Sequence, residues 1–84
     1  MDKILSEIVD ELKVAESRFP DFNSSHEGYA VILEEVDELW DEIKNNKKSG
    51  SLERQRKECV QIAAMTIRFI KMLNKTNKEE KVWE

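Results

Sequence analysis

Apolar residues recur at helical spacing in three stretches of this chain, and no run alternates apolar and polar residues as a strand does. In the first stretch Ile4, Leu5, Ile8, Leu12 and Ala15 share one face, which predicts a helix over residues 3–18. Pro20 ends it, because proline pushes the preceding residue out of the α region. A second helix is announced by Ser24 and Glu27, which have the spacing of a capping box. It is expected to run to about residue 44, with Tyr29, Leu33, Val36, Trp40 and Ile43 as its core stripe, at spacings of 4, 3, 4 and 3, widened by Ile32 and Leu39. Residues 45–51 form a polar loop containing Gly50. The third helix is expected over about residues 52–74. Between Cys59 and Ile67 only Gln61 and Thr66 are polar. A helix apolar nearly all round is a central one, packed on several sides. Residues 75–84 are highly charged and are expected to form a frayed or flexible tail in which Val82 and Trp83 are the residues able to dock. The pattern predicts an all-α antiparallel bundle of three main helices.

Length sharpens this picture. Eighty-four residues make one domain, 1–84, and a chain this short buries a small fraction of its surface. The bundle is therefore expected to be completed by oligomerisation, as a homodimer or homotetramer. The net charge is −4 with 38% charged residues, and the positive charges are spread along the chain. That excludes a nucleic-acid polymer as partner, since such binding needs a basic face. It leaves a nucleotide possible, because bound Mg²⁺ reverses the local charge. The single cysteine, Cys59, cannot form an internal disulfide and, within its apolar run, reads as a small core residue. Residues 1–11 are mostly polar and do not resemble a signal peptide, and no apolar run approaches the roughly 20 residues of a membrane span. No membrane association and a cytoplasmic location are the expectations.

The second helix is unusually acidic. Between His26 and Ile43 it carries Glu27, Glu34, Glu35, Asp37, Glu38, Asp41 and Glu42, with no lysine or arginine. Glu34 with Glu38, and Glu38 with Glu42, are like-charge i,i+4 pairs, each costing on the order of a few tenths of a kcal/mol. A bound cation would convert that repulsion into affinity. At about 100° per residue, Glu35 and Glu38 lie roughly 60° apart on a flank of the helix. Val31 and Glu42 share the flank, and an apolar residue there suggests that the flank faces another protein surface. The competing reading is a solvated acidic face.

On the third helix Glu58 stands at the entrance to the apolar run, with Gln61 one turn on and projecting on the same side. A charge in such surroundings is costly unless paired or metal-bound. Arg54 and Arg68 share its stripe, so a simple i,i+4 pair of Arg54 with Glu58 is the alternative. Two helices that each offer carboxylates at i,i+3 are a recognised way to build a divalent-metal site. Oxygen ligands suit Mg²⁺ or Mn²⁺, and His26, the only histidine, cannot by itself make a zinc site of the usual kind.

The run Glu34-Glu35-Val36-Asp37-Glu38-Leu39, followed by Glu58-Cys59-Val60-Gln61, resembles the MazG-like all-α nucleotide pyrophosphohydrolases, relatives of helical dUTPases and phosphoribosyl-ATP pyrophosphohydrolases. Their signature is EExxE on one helix and ExxD on the next. The resemblance covers the second and third helices, about half the chain. It implies Mg²⁺-dependent cleavage of a (d)NTP between its α and β phosphates, giving the monophosphate and pyrophosphate. Carried over by position, Glu35, Glu38 and Glu58 match metal ligands, and Glu34 matches an acid of ligand or water-activating role. Gln61 stands where the family has aspartate and matches as a ligand in position only. For substrate, His26, Lys44, Arg54 and Lys57 are the candidate contacts. Lys47 and Lys48 lie in the same loop region. Tyr29 and Trp40 are aromatic but fit the core stripe better. The alternative, given Gln61, is a non-catalytic helical module for self-association or partner binding, with a degenerate metal site.

Overall fold

The computed structural model describes residues 1–78, and these form three helices, α1 (Asp2–Arg18), α2 (Ser25–Lys44) and α3 (Ser51–Lys78). Each boundary has a local cause. After α1, Phe19 turns extended at φ −131° and ψ 144° while its N–H still donates to the Ala15 carbonyl. At the start of α2 the Ser24 hydroxyl accepts from the Glu27 N–H at 3.1 Å. The Glu27 carboxylate reaches one residue further back than a capping box requires and accepts the Asn23 N–H at 2.7 Å. Asn45 closes α2, donating through its backbone and its side chain to the Asp41 carbonyl. Gly50 then adopts φ 78°, a left-handed turn that favours glycine. The buried Ser51 Oγ donates to the Glu42 carbonyl at 3.0 Å, tying the first residue of α3 to the end of α2.

α3 is the central helix, as its all-round apolar run predicts. It packs on both α1 and α2, which among the described residues do not pack on each other. The contacts fix the directions. Glu7 with Arg56 and Glu16 with Lys71 run in step, so α1 is parallel to α3. Gly28 lies against Phe69 while Glu42 lies against Ser51, so α2 is antiparallel to it. The buried core is Ala15, Phe22, Ala64, Met65 and Met72, with Ile8, Leu12, Val31, Ile32 and Phe69 packed against it. At Gly28 the packing is tight, for a Cβ there would stand 2.7 Å from the Phe69 ring.

α2 is rotated from its expected orientation. The stripe read as core is exposed, from 38% at Ile43 to 63% at Tyr29, with Leu33, Val36 and Trp40 between. The side turned to the protein is instead Gly28, Val31, Ile32, Glu35, Leu39 and Glu42, which is largely the acidic flank. The physical reason is that α2 makes its helix–helix contact with α3 alone. One contact can cover only one edge of a wide apolar face, and the edge covered is that of Ile32 and Leu39. Cys59 is likewise exposed rather than in the core, since α3 is covered on two sides and not all round. Ile4 and Leu5 of the α1 stripe are also exposed.

α3 runs four residues beyond the expected end, taking in residues 75–78 of the expected tail. The rest of that tail, with Val82 and Trp83, lies outside the described residues. Among the described residues no helix is long and apolar enough to cross a membrane.

Candidate metal centre

Glu35 and Glu38 leave α2 on the flank that faces α3, and Glu58 leaves α3 toward them. One carboxylate oxygen from each lies within 4.8 Å of the others. Glu35 and Glu58 are half-buried and Glu38 is exposed, so the cluster opens to solvent on one side. Glu35 Oε2 and Glu58 Oε1 are fully buried, and neither has a hydrogen-bond partner. A buried acceptor without a donor costs about 1–3 kcal/mol, more when charged.

The electrostatics agree with the geometry. Burial raises the Glu35 carboxyl from 4.5 to about 7, helped by the charge of Glu38 and by the close approach of Glu58. Glu38 is also raised, by burial first and then by the charges of Glu58, Glu34 and Asp41. No cation relieves this crowding, for among the described residues none forms an ion pair with Glu35, Glu38 or Glu58. In particular Arg54 does not pair with Glu58. Its guanidinium donates to Glu42 Oε1 at 2.8 Å and to the Ser49 carbonyl at 3.0 Å, because the turn at Gly50 brings α2's last turn within its reach.

Three oxygen donors with two orphaned acceptors suit a hard divalent cation. Mg–O distances of about 2.1 Å put opposed ligand oxygens about 4.2 Å apart, so small side-chain rotations would close the cluster on Mg²⁺ and leave positions for water or phosphate.

The remaining expected site residues separate into groups. Glu34 and Gln61 line a cavity of about 360 Å³ that also touches Glu35. Arg54 and Lys57 instead line a different, open cavity of about 550 Å³ between α1 and α3, among Glu7, Asp10, Glu11 and Glu53. Lys44 is held at the end of α2, 3.3 Å from Asp41 and over the Trp40 ring. His26 is exposed in the first turn of α2 and belongs to neither cavity. Three residues of the smaller cavity, Phe19, Phe22 and Arg68, escaped the sequence reading as site residues. The aromatic pair flanking Pro20 in the α1–α2 linker was the available signal. Arg68 shares the Glu58 stripe, but its contacts with the Pro20 carbonyl and the Phe22 ring join residues remote in sequence.

Comparisons with protein-family models, with curated proteins and with solved structures find no match to this chain.

Proposed function

We propose that Glu35, Glu38 and Glu58 hold Mg²⁺, with Mn²⁺ as a substitute, and that the protein is a nucleotide pyrophosphohydrolase converting a (d)NTP to the (d)NMP and pyrophosphate. The observation that supports this reading most is the convergence of three carboxylates from two helices around two buried oxygens that lack donors. An ordinary acidic surface would be solvated throughout. The resemblance to MazG-like enzymes supplies the reaction, because the same residues fall at that family's motif positions.

Mg²⁺ supplies neutralisation of phosphate charge and lowers the pKa of a bound water. The chain's own contribution is position. Glu35 and Glu58 are fixed across the α2–α3 interface, while Glu38 stands one turn on at the open edge where phosphates would enter. Glu34 is exposed beside the cavity and outside the three-carboxylate cluster, which suits a group that orients water and accepts its proton. The test is a panel of nucleoside triphosphates with Mg²⁺ or Mn²⁺, scored for monophosphate and pyrophosphate. Orthophosphate and diphosphate products, or no turnover with any of them, would refute the assignment.

One observation favours a second role. The exposed Tyr29, Leu33, Val36, Trp40 and Ile43 form a continuous apolar stripe on α2, facing away from the cluster's neighbour α3. Such a stripe suits self-association into the expected dimer or tetramer. If association were the whole function, Mg²⁺ would leave the thermal stability unchanged, whereas a metal site raises it with metal concentration.

A further inference from the structure

The Arg54–Glu42 pair forms the layer next to the carboxylate cluster. Arg54 precedes Glu58 by four residues on α3, and Glu42 follows Glu38 by four on the antiparallel α2. The pair therefore stands one helical turn, about 5.4 Å, nearer the Gly50 turn. The guanidinium is fixed there. Its Nε donates to Glu42 Oε1 at 2.8 Å, and its Nη1 donates to the Ser49 carbonyl at 3.0 Å. Gly50 leaves room for it, since a Cβ at that position would stand 3.1 Å from the same Nη1.

Holding the turn does not account for this arrangement. Ser51 already ties α3 to the Glu42 carbonyl, and an ion pair as exposed as this one adds little to stability. Of the five N–H groups of the guanidinium, two are used, and the others have no partner among the described residues. The side chain is 42% exposed. An arginine four residues before a glutamate on one helix is also within reach of it. Here Glu42 takes that charge instead, and Glu58 keeps its carboxylate for the cluster.

A ligand seated on the cluster has a path to Arg54. The 550 Å³ cavity that Arg54 lines and the 360 Å³ cavity that Glu35 lines share Glu11 and Val14 as walls, so they are two ends of one cleft along α3. On α3 Glu58 falls between them, with Arg54 and Lys57 before it and Gln61 after it. The Arg54 end also carries Glu7, Asp10, Glu11 and Glu53, and Arg56 neutralises Glu7. The acids left over repel a free anion, so an anion enters this end only with a divalent cation at the cluster.

We propose that Arg54 binds a phosphate of a polyphosphate held by the metal at Glu35, Glu38 and Glu58, and that Glu42 is a positioning residue that keeps Arg54 off Glu58. The inference rests on the metal reading above and adds to it the group that meets the phosphate chain. A guanidinium suits that task, because its planar fork of N–H donors matches phosphate oxygens in pairs and its charge is permanent. A phosphate chain anchored on the metal extends over about one helical turn, which is the offset of Arg54.

The test uses the full chain and calorimetry, with Mg²⁺ and inorganic pyrophosphate as probes. Wild type should bind pyrophosphate with saturating Mg²⁺ and not without it. Arg54→Met should weaken that binding at least about tenfold, the worth of a hydrogen bond to a charged group, while Mg²⁺ affinity holds or rises. Arg54→Lys should recover part of the loss, as the charge returns without the fork. Glu42→Gln should lower Mg²⁺ affinity about fivefold, because Arg54 then falls on Glu58, and adding Arg54→Met should restore it. A role in the turn alone would lower the melting temperature of these variants and leave both affinities where they were, which overturns the inference. Pyrophosphate affinity within about twofold of wild type in Arg54→Met, or equal binding without Mg²⁺, overturns the phosphate assignment. A double variant that binds Mg²⁺ as weakly as Glu42→Gln overturns the positioning role. Absence of Mg²⁺ binding in wild type removes the metal reading and this inference with it. If both affinities respond as expected and no nucleoside triphosphate is cleaved, the pyrophosphohydrolase reading alone fails and the phosphate site stands.

Discussion

The Glu35 carboxylate of α2 faces the Glu58 carboxylate of α3, and each has one buried oxygen that no donor reaches. Two like charges at a helix interface are tolerable in only two ways: a retained proton or a cation between them.

The first consequence is a pH dependence that metal reverses. In the folded, metal-free chain Glu35 is raised from 4.5 to about 7. Between those values the folded state holds a proton that the unfolded chain has released, so stability falls as pH rises through this window. Glu38 is shifted in the same sense. Glu7 and Asp21, held low by hydrogen bonds from Arg56 and Lys75, act in the opposite sense and only at more acid pH. Metal-free melting temperatures should therefore decline from pH 5 to 7.5. With saturating Mg²⁺ the decline should vanish, and Mg²⁺ affinity should rise across the same interval as the proton is displaced. Thermal melts at stepped pH, with and without Mg²⁺, measure both. A metal-free profile flat over this range would refute the coupling.

Glu35→Gln, Glu38→Gln and Glu58→Gln should each lower Mg²⁺ affinity by more than the about 10- to 100-fold that loss of outer-shell support costs a metal site. Metal-dependent turnover should fall with it. Circular dichroism should show helicity intact, and metal-free stability should hold or rise, because each change relieves like-charge repulsion. Wild-type turnover in any two of the three would exclude the cluster as the site.

Association should run through the outward face of α2. Few large side chains are buried in the single chain, while five apolar residues at spacings of 4, 3, 4 and 3 face outward on one helix. Light scattering at micromolar concentration should report a dimer or tetramer. Val36→Glu, in the middle of that stripe, should shift the population to monomer without unfolding it. A wild-type protein monomeric at that concentration would rule the interface out.

Gly28→Ala tests how α2 is seated. The added Cβ would meet the Phe69 ring at 2.7 Å, and Phe69 is itself held against Phe22. Overpacking of this kind typically costs about 1–3 kcal/mol. Thermal denaturation should show the loss, and the added change Phe69→Leu should recover part of it. An unchanged melting temperature would mean that α2 can move away from α3 freely, and the cluster geometry would lose its support.

The parts of this protein that the sequence determined are those with local causes. Ser24, Pro20 and the Gly50 turn act on the backbone within a few residues, so the helix starts and the three-helix architecture follow from them. The i,i+3 spacing of Glu35 with Glu38 and of Glu58 with Gln61 likewise assigns neighbours within one helix, and an apolar residue on the acidic flank correctly suggested that the flank meets protein. Only tertiary structure decided how α2 turns about its own axis. Periodicity places side chains relative to one another on a helix, but not relative to a neighbouring helix, and α2 carries two faces able to meet α3. Packing chose the flank of Val31, Glu35 and Glu42, since Gly28 lets α2 close on Phe69 and Ser51 ties Glu42 to α3. That single rotation put the expected core stripe outside and brought Glu35 and Glu38 to Glu58. The partner of Arg54 and the cavity walled by Phe22 and Arg68 depended on the same step, because their contacts join residues far apart along the chain.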